Sequence, residues 1–150
     1  MTESATESRI LNDLCNDQQL AVLATNSGSG PYTSLVAFAA APDRHSFYFI
    51  TPRSTRKWAN LEKSNQVSLL IDNRDNTIAD FSRAAAATLL GSVVELQGKE
   101  KAAALALYLV KHPHLQDFAS APDCALLQVK VASIYLVTRF QNVVEYHFSG

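Results

Sequence analysis

Between Leu20 and Leu96 the chain breaks into five apolar stretches, the first three joined by short connections: Leu20–Thr25, Tyr32–Ala40, Phe47–Thr51, Gln66–Asp72 and Ala85–Leu96. The first connection, Asn26-Ser27-Gly28-Ser29-Gly30-Pro31, and the second, Ala41-Pro42-Asp43-Arg44-His45, are turn-forming segments. A parallel strand pair needs a crossover of roughly a dozen residues or more, so strands joined this tightly pair antiparallel. Two further stretches, Ala125–Val137 and Asn142–Phe148, bring the count to seven, for a sheet of six or seven strands. That many successive antiparallel strands predict a barrel, mainly β with flanking helices (α+β). At 150 residues, with 47% apolar and 18% charged side chains, the chain is expected to form one domain over 1–150 with a core of its own.

Two helical segments frame the strands. Ser4–Asn16 places Ile10, Leu11 and Leu14 on one face. Lys99–Lys111 is rich in alanine and leucine and stops at His112-Pro113. It is apolar nearly all round, which predicts burial between the barrel and a second subunit. Gly91 is expected at a bulge or close approach, and Asn73–Ser82 as an irregular loop serving a site or an interface.

Net charge is −1, so no global field draws the protein to nucleic acid or to an acidic membrane. The longest apolar run, Ala102–Val110, is about half of a membrane span. Met1–Ser4 is polar and acidic, without signal-peptide character. Cys15 and Cys124 stand far apart, more in keeping with buried thiols than with a disulfide framework. A cytoplasmic location is expected.

Against this neutral background stands Thr51-Pro52-Arg53-Ser54-Thr55-Arg56-Lys57-Trp58, where an apolar strand gives way to a helix. Ser54 or Thr55 is the expected N-cap. Arg56 and Lys57 then fall in the first turn, at the positive end of the helix dipole. Each such placement costs about 0.3–1 kcal/mol while the charge is unanswered. A bound dianion reverses the sign, because free N–H groups, hydroxyls and cations converge on it. The same run also has a reading as a solvated basic face. No glycine-rich loop is present, so a phosphate here would be held by side chains and one helix end.

This turn, with Phe47–Ile50 before it and Trp58–Gln66 after it, resembles the flavin-phosphate motif of the pyridoxamine 5′-phosphate oxidase-like proteins. Gly30–Val36 is similar to the strand that edges the flavin ring in that family, and Leu89–Leu96 followed by a helix ending at Lys111-His112-Pro113 keeps its layout. The resemblance implies an FMN-binding split β-barrel. Arg56 and Lys57 would hold the FMN phosphate, with the Ser54 or Thr55 hydroxyl donating to it and Arg53 as a third cation. Thr51 would lie near the ring or ribityl chain. Ser34, Leu35 and Val36 would face the isoalloxazine, and Asn73 and Arg74 are flavin-edge candidates. It further implies a homodimer with flavin at the interface, and a small-molecule substrate reduced at the expense of NADH or NADPH. Glu145–Gly150 carries no match to the arginine- and histidine-bearing motif of the oxidase proper, so a smaller relative is expected.

Trp58 is expected to pack on the barrel, and Arg139 and Gln141 are candidates to line a substrate pocket. His112-Pro113-His114 has no third ligand nearby, so no metal site is expected. Two alternatives use the same barrel: a flavin carrier or sensor without turnover, and a haem-handling protein with His147 as an axial ligand.

Overall fold

The computed structural model describes residues 5–149. The first helix, α1, runs Ala5–Asp17 and turns Leu11, Leu14 and Cys15 into the core. Ser4, its expected first residue, lies outside the described residues. Then follow β1 (Leu20–Asn26), β2 (Pro31–Ala40), β3 (Ser46–Pro52), α2 (Arg56–Lys63) and β4 (Gln66–Asp72). The second half comprises α3 (Asp80–Arg83), β5 (Ala85–Glu95), α4 (Gly98–Lys111), a 3₁₀ turn at Pro113–Leu115, α5 (Gln116–Ser120), β6 (Cys124–Thr138) and β7 (Asn142–His147).

The sheet order is β3-β2-β1-β4-β5-β6-β7, every pairing is antiparallel, and β3 also pairs with β6. That last pairing closes six strands into a barrel and leaves β7 as an extension. Closure buries the edges a flat sheet would expose. Alternation fills the inside: Leu23, Phe38, Phe47, Phe49, Leu69, Ile71, Ala87, Leu89, Val129 and Leu136 are almost fully buried in one cluster. At the predicted Gly91 irregularity, β5 pairs Leu90 with Ser133 but Gly91 with Val131, so Ala132 is the extra residue of a bulge. Its effect shows in β6, where the inward register passes from Val129 and Val131 to Ile134 and Leu136. A Cβ on Gly91 would stand 2.3 Å from the Lys130 carbonyl oxygen.

A second cluster lies outside the barrel wall, where α4 covers Ala39, Ile50 and Leu126 with Ala104 and Tyr108. Its C-terminal end is fastened by three contacts. Tyr108 Oη donates to the Ala37 carbonyl at 3.4 Å, Lys111 Nζ to the Cys15 carbonyl at 2.9 Å, and His112 Nε2 lies 2.7 Å from the Phe38 carbonyl oxygen. The outward face of α4 carries Ala102, Ala103, Ala106 and Val110, all exposed in the single chain. One face of the helix packs on the barrel through Ala104 and Tyr108, and the opposite face is small and apolar apart from Val110. The predicted Asn73–Ser82 loop also differs: it ends in the single turn α3, because the Asp80 carboxylate gathers the backbone N–H groups of Asp75, Asn76 and Thr77.

Candidate functional site

The basic turn sits at the barrel end where β3 leaves the wall. Thr55, in extended backbone, is the N-cap of α2, and its Oγ1 accepts from Trp58 N at 3.3 Å. The same hydroxyl donates to the Pro52 carbonyl at 2.9 Å and lies 3.0 Å from Thr51 Oγ1. The helix entry is therefore locked from within. Asn60 ties the far side of α2 to the barrel, its buried Nδ2 donating to Thr25 Oγ1 at 3.0 Å. Trp58 and Leu61 pack on the main core, as expected for Trp58.

This locking divides the predicted phosphate ligands. Thr55 has its proton committed to Pro52, which leaves the exposed Ser54 hydroxyl as the donor available to a ligand. Thr51, expected near the ring or ribityl chain, has a fully buried side chain whose Oγ1 lies 3.0 Å from Thr55 Oγ1. Arg53 pairs through Nη2 with Glu95 and lies over the Trp58 ring, 5.0 Å from its centroid. Its Nη1 is buried with no partner among the described residues. Arg56 is exposed, with its guanidinium 5.9 Å from the centroid of Tyr32. Neither Arg56 nor Lys57 has a carboxylate partner among the described residues. No acidic side chain occupies the first turn of α2, so its dipole stays unanswered.

Beside the turn the barrel wall opens. β2 pairs with β3 only from Phe38 to Ala40, whereas from Ile50 to Pro52 β3 pairs with β6 alone. Phe38 N donates to Gln19 O on the β1 side. Backbone groups alternate along a strand, so Thr33 and Leu35 present theirs to the vacated edge. Side chains alternate too. Leu35 is 65% exposed, while Val36 is 5% exposed and belongs to the interior. Ser34 shares the register of Val36, and its Oγ is buried without a partner among the described residues. Three successive strand residues cannot all face one ligand, so of the three β2 candidates only Leu35 turns its side chain outward.

Asn73 lies outside the basic turn. Its Oδ1 accepts from Ala85 N at 2.8 Å, closing the β4–β5 loop at the end of β4 remote from α2. Arg74 forms an ion pair with Asp72 at 3.1 Å in the same loop. Arg139 and Gln141 are both exposed in the β6–β7 turn. Glu95 and Tyr32 are the partners that sequence reasoning missed. Glu95 is 42 residues from Arg53 and no local pattern links them.

A closed antiparallel barrel, split beside a cation-bearing helix entry, defines the class of protein. The chain belongs to the pyridoxamine 5′-phosphate oxidase family, whose model matches residues 10–138. It is a distant relative and not the oxidase proper. Solved structures bear out the fold. A protein related to general stress protein 26 from Clostridium acetobutylicum shares 18% identity at a TM-score of 0.71, over 97% of this chain and 96% of that one. The heme-binding protein from Mycobacterium smegmatis shares 20% identity at a TM-score of 0.81, over 98% of this chain but 59% of that one. HutZ, the heme storage protein of Vibrio cholerae, shares 14% at a TM-score of 0.72, over 93% and 92%. This chain thus spans about three fifths of the M. smegmatis protein and nearly all of HutZ. No curated protein matches the sequence.

Proposed function

We propose that the protein binds FMN and works as a flavin-dependent oxidoreductase on a small molecule, with NADH or NADPH as reductant. The observation that carries this reading is the unanswered charge at the entry of α2. Among the described residues Arg56 and Lys57 lack acidic partners, Ser54 has an uncommitted hydroxyl, and Arg53 Nη1 is a buried donor left over. This donor set fits a phosphate dianion. Arg56, Lys57 and Ser54 would hold it, with Arg53 Nη1 turned to it. Thr33 and Leu35 would offer their edge-facing backbone groups to a polar ring margin. When bound, FMN supplies the electron-transfer chemistry; the chain supplies grip, orientation and shelter from water.

A dimer is part of the reading. Leu35 and Leu70 both flank Val22 in the strand register, and Leu35 with the neighbouring Leu20 and Leu90 is exposed on that outer face. A second copy laid on it would cover this apolar surface and could shelter a cofactor at the split. Both cysteines are buried free thiols, compatible with a reducing cytoplasm.

The test is an absorbance spectrum of the protein as isolated, followed under NADH or NADPH. Flavin bands and release of FMN are expected, and the paired change Arg56→Ala, Lys57→Ala should strip the cofactor from a folded protein. Flavin retention by that variant sinks the assignment. Bands that never bleach with either nucleotide would instead indicate a carrier. A haem-handling role is the second reading, favoured by the likeness to heme-binding and heme-storage proteins. His147, its proposed ligand, has Nδ1 2.8 Å from Ser133 Oγ and Nε2 3.0 Å from Glu145 Oε1. It would have to release one of them to reach iron. A Soret band on titration with haemin, lost in His147→Ala, would select this reading.

A further inference from the structure

The outer face of the β6–β7 hairpin brings together a hydroxyl, an imidazole and a carboxylate. Ser133 Oγ lies 2.8 Å from His147 Nδ1, and His147 Nε2 lies 3.0 Å from Glu145 Oε1. Ser133 and His147 are directly opposite in the strand register, and Glu145 stands two residues before His147, so all three share one face. Phe148 N donates to the Ala132 carbonyl at 2.8 Å. Bonded and non-bonded pairs alternate, so the next pair, Ser133 and His147, is of the kind whose side chains approach most closely.

The bulge is what puts Ser133 there. Along β6 the core residues are Ala125, Leu127, Val129 and Val131, then Ile134 and Leu136. Without the extra residue Ala132, Ser133 would continue the odd-numbered series into the barrel and could not meet His147. Re-aiming a side chain in this way is a common use of bulges beside reactive groups.

The pattern of donors fixes the chemistry. The Glu145 carboxylate only accepts, so His147 Nε2 carries the ring proton and donates it. Nδ1 then presents its lone pair to Ser133, whose hydroxyl donates to it. Nucleophile, base and a group that orients the base stand in one chain of hydrogen bonds. Tyr135 lies edge-on to the His147 ring, centroids 5.8 Å apart, and Leu90, opposite Ser133 on the β5 side, is 41% exposed. Apolar surface thus flanks the hydroxyl, with the negative charge of Glu145 beside it.

We propose that Ser133, His147 and Glu145 form an acyl-transfer site for small uncharged esters with an apolar acyl group. Ser133 Oγ bonds to the ester carbonyl carbon while its proton passes to His147 Nδ1. As the carbon–oxygen bond to the alcohol breaks, that proton leaves with the alcohol. Water then attacks the acyl-serine and gives a proton to Nδ1, which returns it to Ser133 Oγ as the acid departs. Ser133 and His147 are the catalytic residues, and Glu145 is a positioning residue. None of the three belongs to the basic turn, and the inference does not rest on the flavin reading.

Hydrolysis of p-nitrophenyl butyrate by the full chain tests it, with p-nitrophenyl hemisuccinate as the anionic comparator. Acid quenching should trap a butyryl group on Ser133, located by peptide mass spectrometry. Ser133→Ala should abolish that adduct, and His147→Gln should slow turnover by about a hundredfold or to the background rate. Glu145→Gln should lower kcat and leave KM unchanged, because an amide no longer fixes the tautomer. A merely structural role for Glu145 would instead lower the urea midpoint with kcat intact. The proposal is overturned if butyryl groups appear on lysines but not on Ser133, if Ser133→Ala keeps the parent's rate, or if hemisuccinate reacts as fast as butyrate. It is equally overturned if the specific rate vanishes as protein concentration rises, since a second copy then covers the three residues.

Discussion

Arg53 and Glu95 are joined across the barrel end, guanidinium Nη2 to carboxylate Oε2, and this pair anchors the basic turn to the last residue of β5. Both side chains are partly screened from water, and Arg53 is further held over Trp58. Glu95→Ala would leave a half-buried cation facing a hole. A loss of about 1–3 kcal/mol is expected, measured as a shift in the urea midpoint. Glu95→Gln should recover part of it, since an amide oxygen still accepts.

The next expectation concerns Arg56 and Lys57, where binding and stability should move in opposite directions. Neither cation has an acidic partner among the described residues, and both sit at the positive end of α2. Replacing both with alanine in cofactor-free protein should raise stability by about 0.3–1 kcal/mol per site at low salt. The gain should shrink at high salt, as screening removes the repulsion. Thermal melts at two ionic strengths decide the matter. A fall in stability would mean that the two side chains serve the fold.

Acid should weaken the protein through His112. Burial pushes its pKa below the usual value near 6.5, against the hydrogen bond to Phe38, and Lys111 and His114 add to the depression. Tyr108 packs on the same ring and is neutral across this range, its own pKa pushed up to about 12 by burial. The unfolded chain therefore takes up a proton near pH 6.5 that the folded chain resists. Stability falls as pH drops below that value and continues to fall until the folded pKa is reached. Denaturant midpoints between pH 7.5 and 5.5 should decline in the parent and decline less in His112→Gln, which keeps a donor for the Phe38 carbonyl.

Gly91→Ala is expected to be among the most damaging small changes. The added carbon would meet a backbone oxygen, that of Lys130, which cannot swing aside as a side chain end would. A cost on the order of 1–3 kcal/mol or more follows from overpacking at a fixed wall. Equilibrium unfolding measures it. A near-neutral result would show that the bulge at Ala132 can slide.

Strand positions were legible because period-two burial is written directly in the residues. Gln66–Asp72 is β4 at both ends, and Gly91 announced the bulge by lacking a side chain. The helix entry was legible as well, since Thr55 can cap and Arg56 and Lys57 are conspicuous at a helix start. The division of labour within the turn was not. Thr51 and Thr55 face inward to each other, and Arg53 finds Glu95, through contacts that exist only once β3 lies beside β6 and β5 beside β6.

What the chain alone determined is local: where strands run, where α2 begins, and that its first turn carries uncompensated positive charge. Those properties depend on neighbours three or four residues away. Only the closed barrel decided which of those groups remain available, because availability is set by long-range partners. The same closure parted β2 from β3 beyond Phe38 and set Phe81 and Phe140 edge to face. No periodicity records such a meeting, since the two rings are far apart in sequence and are brought together by strand pairing.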